Sequence, residues 1–290
     1  MFCIETKKLT LTLEIVPVSS LISHEEVLAA SANRLILEFK NLASLQNPII
    51  IDENHIILDG NHRAHAFRAL NFKFIPVCKI DYFNRRAKLR YWFRILGNIQ
   101  HKRQAREIIE SLGGILHSQP DPFTLKRAME ERCLACGIQY PDECILVDFP
   151  ETEICDGVDA YGIIQVLQDK LTAQAVTLDY IPCNAVQEDT FPAQLKPDQL
   201  VLWTPQITKQ MVVDCAIKQK VFAPKSTRHV IPVRPLNVNV PGQWFRENIT
   251  LEEINYSFYA FLKAKRMKRF SPGMVLDGRY YEEELIVFYR

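Results

Sequence analysis

The pentapeptide Asp59-Gly60-Asn61-His62-Arg63 stands where one kind of pattern gives way to another. Before it, Ile49–Ile51 and Ile56–Leu58 are β-branched or apolar runs, and the polar Asp52-Glu53-Asn54-His55 between them reads as a hairpin turn. After it, Ala64, Phe67, Ala69 and Leu70 recur at helical spacing. A strand, a glycine turn and a helix that opens with His and Arg make an anion site. The first backbone N–H groups and the helix dipole point at the ligand, and Arg63 adds a two-pronged contact. The same residues also serve a plain helix cap, with Asp59 or Asn61 as the cap and His62 and Arg63 in water.

A second cluster of donors is Pro224-Lys225-Ser226-Thr227-Arg228-His229, between Val221-Phe222 and Val230–Val233. Two hydroxyls, a guanidinium, an imidazole and an ammonium suit a carboxylate or a phosphate, and they equally suit a solvated polar turn. Tyr82–Arg94 interleaves basic and aromatic residues. That pattern serves nucleotide or nucleic-acid contact, or an amphipathic element with its aromatic residues turned inward.

The elements that must position these groups follow from the pattern. Leu11–Val18 reads as a strand. Ser23 and Glu26 have the spacing of a capping box, which predicts a helix running to Phe39. Phe74–Ile80 is a further strand, and residues up to about Asp81 form a small α/β unit. Beyond it, helices are expected at Gln104–Leu112, Leu125–Cys136, Ala160–Leu171 and Lys209–Lys218, the last after a Thr208 cap. Strands are expected at Ile145–Phe149, Val176–Ile181 and Leu200–Trp203. That alternation implies a second α/β domain. Leu251–Met267 reads as a helix ending in the basic run Lys263–Arg269, with a turn at Pro272-Gly273 and a terminal strand at Glu284–Tyr289.

The chain has 290 residues, 48% hydrophobic and 24% charged, enough for two domains with real cores. A net charge of +1 provides no global basic field for non-specific nucleic-acid binding. No apolar run reaches the ~18 residues of a membrane span, and the N-terminus has no signal-peptide pattern. The eight cysteines are therefore expected to be reduced and the protein cytoplasmic, with Cys78 and Cys215 buried as small hydrophobes. Cys133-x-x-Cys136 and Cys144 supply three thiols, but a zinc site needs a fourth ligand and no partnering motif is present. A reactive or haem-contacting thiol stays open.

Three segments together resemble one family. LDGNHRAHAFRALNFKFIPVCKIDYF is similar to the core of the ParB/sulfiredoxin superfamily. Within it, the chain resembles the free L-serine kinases, by His24-Glu25, by Asp59–Arg63 and by Phe222-Ala223-Pro224-Lys225-Ser226-Thr227-Arg228-His229. Asp81-Tyr82-Phe83 and Trp92 match in position. The match runs from about residue 10 to 245, and Asn61 stands where the family often has His.

The resemblance implies an α/β (α+β) fold. A ParB/sulfiredoxin-like nucleotide-phosphate-binding domain spans 1–85, a second α/β domain spans 86–245, and 246–290 is an extension of unassigned role. The active site is expected in the cleft between the domains. The implied reaction moves a phosphoryl group from ADP or ATP, with Mg²⁺, to the hydroxyl of L-serine, giving O-phospho-L-serine for cysteine or siderophore-precursor biosynthesis. Glu25 is then the base. Asp59, Gly60, Asn61, His62 and Arg63 hold the nucleotide phosphates, with Asp59 either orienting the turn or reaching Mg²⁺ through water. Trp92, Ser226, Thr227, Arg228 and His229 face the serine, and Lys225 is a further contact. The alternative is a ParB-like DNA- or nucleotide-binding protein, or a haem- or metabolite-sensing regulator. Against DNA as a partner stand the near-neutral charge and the lack of ParB's basic arginine box.

Overall fold

The computed structural model describes residues 1–132, 134–150, 154–183 and 195–289. The chain divides into two compact units, Met1–Lys88 with His229–Arg290, and Leu89–Arg228. This differs from a division into 1–85, 86–245 and 246–290. The C-terminal residues join the first unit because their side chains and strands are bonded to it. Asn255, in the Leu251–Lys263 helix, accepts from the Ile15 N–H at 2.9 Å and donates to the Ile15 carbonyl at 2.8 Å. Arg269 donates to the Glu5 carbonyl at 2.8 Å.

The first unit is built on a five-stranded sheet, in the order Phe2–Glu5, Thr10–Pro17, Phe74–Lys79, Ile49–Ile51, Ile57–Asp59. Ile49–Ile51 and Ile57–Asp59 form the expected antiparallel hairpin, and Ile49–Ile51 runs parallel to Phe74–Lys79. All three Ile49–Ile51 side chains are buried, as suits a strand covered on both faces. Helix α1 (Ala29–Phe39) and helix α2 (Asn61–Ala69) pack beside the sheet. Phe67 of α2 meets Phe39, Phe72 and Phe245 at ring-centroid distances of 5.7, 5.0 and 5.0 Å.

The helix expected from Ser23 starts later, at Ala29. The Ile22 N–H bonds the His55 carbonyl and the Ile22 carbonyl accepts from Ile57, so the chain here continues the sheet and no capping box forms. The basic run also departs from expectation. The helix stops at Lys263, and Arg266–Phe270 is a strand paired antiparallel with Glu284–Tyr289. Glu284–Tyr289 in turn runs parallel to Val233–Leu236, and a hairpin of Met274–Leu276 and Arg279–Tyr281 lies between Arg266–Phe270 and Glu284–Tyr289 in sequence.

The second unit holds a six-stranded sheet with every neighbour antiparallel, in the order Thr177–Pro182, Trp92–Gly97, Leu200–Trp203, Cys136–Gln139, Cys144–Asp148, Ile115–Gln119. Alternate residues feed two cores. Leu96, Ile138, Ile145, Val147 and Leu202 pack with the Lys102–Ser111 and Gly157–Thr172 helices; Phe93, Leu146, Val201 and Trp203 pack with Leu125 and Met129 of the Pro122–Glu131 helix. The basic and aromatic stretch Tyr82–Arg94 therefore ends in strands, with Tyr82, Tyr91 and Phe93 buried and Phe83 exposed. Cys136 opens a strand instead of closing a helix, since the helix ends at Glu131. Cys133 lies outside the described residues. Cys78 and Cys215 are buried, as expected. No helix is long and apolar enough to cross a membrane among the described residues.

Candidate active site

Asp59 ends its strand, and Gly60 begins α2 with φ 105° and no side-chain cap. Only glycine suits this position on two counts. The backbone is left-handed, and an added Cβ would lie 2.5 Å from Ile49 Cγ2. Neither Asp59 nor Asn61 caps the helix by side chain, so the plain-cap alternative is not what forms. The first turn of α2 opens onto a pocket of about 500 Å³ lined by Asp59–Arg63, by Gln46 and Asn47, and by Arg234, Arg279 and Tyr281.

Charge at this turn is organised around Asp59. Its Oδ2 accepts from Arg234 Nη1 and lies 3.5 Å from Arg63 Nη2. Burial raises the Asp59 carboxyl, but the Arg234 and Arg63 guanidinium groups more than offset it and hold the group well below the usual carboxylate range. Arg234 is itself clamped by Glu283, with Nε donating to Oε1 at 2.8 Å. Arg63 Nη1 donates to the carbonyls of Asn47 and Pro48, at 2.7 and 3.1 Å. Arg63 thus fastens the turn to the neighbouring strand as well as bringing charge to it. Asn61 Oδ1 is buried without a hydrogen-bond partner among the described residues.

The candidate base is brought to this turn by its neighbours. His24 is fully buried and hydrogen-bonds the Ile57 backbone. The Leu28 N–H donates to His62 Nε2 at 3.1 Å, which puts the His62 proton on Nδ1. Glu25, half-buried, lies between these two attachments, so both ends of its segment are tied to the strand and helix that flank Asp59–Arg63.

Next to Glu25, the His24 ring meets the His229 ring edge-on at 5.2 Å, and Tyr82 Oη lies 2.8 Å from His229 Nε2. Burial pushes the Tyr82 phenol up, so it stays protonated and is able to donate to Nε2. Burial pushes the His24 imidazole down to about 4, partly opposed by its bond to Ile57.

The remaining expected substrate residues lie in the second unit. Trp92 Nε1 donates to the Thr227 carbonyl at 2.9 Å, and Lys225 Nζ sits 4.2 Å over the Trp92 ring. Ser226 is buried, its Oγ donating to the Ala223 carbonyl at 2.6 Å and its carbonyl accepting from Tyr161 at 3.1 Å. Arg228 Nη1 donates to the Cys183 carbonyl at 3.1 Å. The donor-rich loop is therefore a built structure wrapped on Trp92 and Tyr161, not a solvated turn.

Arg234, Glu283, Arg279 and Tyr281 were not among the expected site residues. An arginine inside the apolar run Ile231–Leu236 is the signal that could have found Arg234, since a charge there needs a buried partner. The expected Mg²⁺ role of Asp59 does not fit this surrounding. Two guanidinium groups already neutralise the carboxylate and repel a divalent cation. Among the described residues, no three His, Cys, Asp or Glu side chains converge as a metal site.

No protein-family profile matches the chain. The ATP-dependent L-serine kinase of Staphylothermus marinus is 26% identical over 236 residues, covering 78% of this chain and 88% of that protein. The ParB-like protein of Sulfolobus acidocaldarius is 26% identical over 220 residues, covering 75% and 90%. The solved structure of a free serine kinase in complex with AMP superposes with a TM-score of 0.64 at 18% identity, covering 80% of this chain and 93% of that one. Over about three-quarters of its length the chain is thus similar in sequence to an L-serine kinase and to a ParB-like protein, and it shares the fold of a free serine kinase.

Proposed function

We propose that the protein is a nucleotide-dependent kinase of free L-serine, forming O-phospho-L-serine from ATP or ADP. The observation that carries this reading is the glycine-capped start of α2, open to a pocket lined by Arg63, Arg234 and Arg279, with Glu25 on a segment tied through its neighbours to His62 and Ile57. Helix amides and guanidinium groups converging on one pocket suit a phosphate chain.

In this reading the serine Oγ attacks the terminal phosphorus of the donor. The new O–P bond forms as the bridging P–O bond breaks, and ADP or AMP leaves with the electron pair. Glu25 takes the hydroxyl proton. The amides of Asn61, His62 and Arg63 hold the phosphates, and Arg63 with Arg234 offsets the charge that spreads over the transferred group. Asp59 keeps both guanidinium groups in place. His229, oriented by Tyr82, is assigned to the serine carboxylate. Trp92, Ser226, Thr227 and Arg228, with Lys225, are assigned as further serine contacts. Magnesium is assigned to the donor's phosphates and to no residue of the chain.

The relative named a serine kinase supports this reading over a DNA-binding one, as does the near-neutral charge. Incubation of the purified protein with L-serine, Mg²⁺ and either nucleotide, read by mass spectrometry, tests it. Phosphoserine with at least one donor is expected, and none with either overturns it.

A further inference from the structure

The turn Leu276-Asp277-Gly278-Arg279 has φ of 50° at Asp277 and 75° at Gly278. Two left-handed residues in a two-residue loop make the tight hairpin turn that matches strand twist, and Asp-Gly is a preferred pair for it. The turn puts Arg279 opposite Leu276 at the head of its strand. Two residues on, Tyr281 is buried with Leu236, Leu285 and Val287, and the Arg279 guanidinium stacks 4.8 Å from its ring centroid. Tyr281 is thus a fixed platform, and Arg279 is an exposed cation held on it. Both residues line the pocket at the start of α2.

The charges around that pocket do not balance. Asp59 serves Arg63 and Arg234, and Glu283 serves Arg234. Arg279 has no carboxylate within 4.0 Å among the described residues, although its charge is felt at Asp59 and Arg63. A surplus guanidinium, preoriented on an aromatic face beside helix amides, fits an anion that comes from outside the chain.

We propose that Arg279 binds the phosphate chain of the donor nucleotide, so that residues 274–281 complete the nucleotide pocket. This rests on the kinase reading and extends it to a segment beyond residue 245, where the resemblance to the family ends. The Arg279 side chain makes no hydrogen bond to the protein among the described residues, so its truncation leaves the fold intact.

The test compares ATP and ADP binding, by titration calorimetry, to the full chain and to its Arg279→Ala and Arg279→Lys variants. The loss of one charge-assisted contact is expected to weaken both nucleotides about ten-fold in Arg279→Ala. The loss should shrink at high salt, with partial recovery in Arg279→Lys and an unchanged melting temperature. Nucleotide affinity equal to wild type in Arg279→Ala, in a wild type that binds and turns over, overturns this inference alone. A wild type that binds neither nucleotide overturns the kinase reading and this inference with it.

Discussion

The phenolic oxygen of Tyr82 and Nε2 of His229 lie 2.8 Å apart, joining residues 147 positions apart in the chain. The buried phenol stays protonated and is able to donate to Nε2, an arrangement that leaves the ring proton on Nδ1. One hydroxyl thus orients the ring that the proposed reading assigns to the serine.

Tyr82→Phe removes that hydroxyl and keeps the ring. The account predicts kcat/KM for L-serine lowered about ten-fold, the worth of one oriented hydrogen bond, with nucleotide affinity unchanged. Steady-state kinetics varying serine and nucleotide separately check it. An equal loss toward both substrates would count against a serine-facing His229.

His24 predicts how stability depends on pH. Its folded pKa is about 4 against 6.5 for the ordinary value, so between these limits the unfolded chain binds a proton that the folded chain does not. Stability therefore falls as pH drops from 6.5 toward 4, by up to roughly 3 kcal/mol from this residue. Asp59, with a lowered carboxyl, adds a loss only below its ordinary value of 3.8, so the two windows are separate. Denaturant unfolding of wild type and His24→Gln at pH 7 and pH 4.5 checks this. The variant, less stable at pH 7, should lose less on acidification.

Gly60→Ala should destabilise the protein by more than about 2 kcal/mol, because the residue would be left-handed and its Cβ would press on Ile49. Adding Ile49→Ala to this variant removes the Cγ2 overlap but leaves Cβ at 2.9 Å and the backbone strain. The double variant should therefore show a cost smaller than the sum of the two single changes, as measured by chemical denaturation.

The turn at Asp59–Arg63 was legible because its signals are local, a β-branched run, a glycine and a helical repeat within some 20 residues. Thr208 as a cap and the strands Leu200–Trp203 and Glu284–Tyr289 were legible for the same reason. Ser23 and Glu26 carried an equally local signal, and it lost to the bonds of Ile22 with His55 and Ile57. Arg266–Phe270 reads as a helix end by charge and becomes a strand because Glu284–Tyr289 offers it a partner. Arg234 meets Asp59 across 175 positions, a separation at which no spacing rule acts. Glu25 could be singled out in sequence only by its likeness to a family. The physical reason for its place, the ties of His24 to Ile57 and of Leu28 to His62, exists only in the folded chain.

In the proposed reaction Glu25 takes the hydroxyl proton of free serine as the phosphoryl group is transferred at the start of α2. The most direct measurement is O-phospho-L-serine formation by wild type and Glu25→Gln, each with L-serine, Mg²⁺ and ATP or ADP, beside nucleotide binding by the same preparations. Phosphoserine is expected from wild type, with a loss of at least about 100-fold in Glu25→Gln and nucleotide affinity within a few-fold of wild type in that variant. Near-wild-type turnover in Glu25→Gln would contradict it.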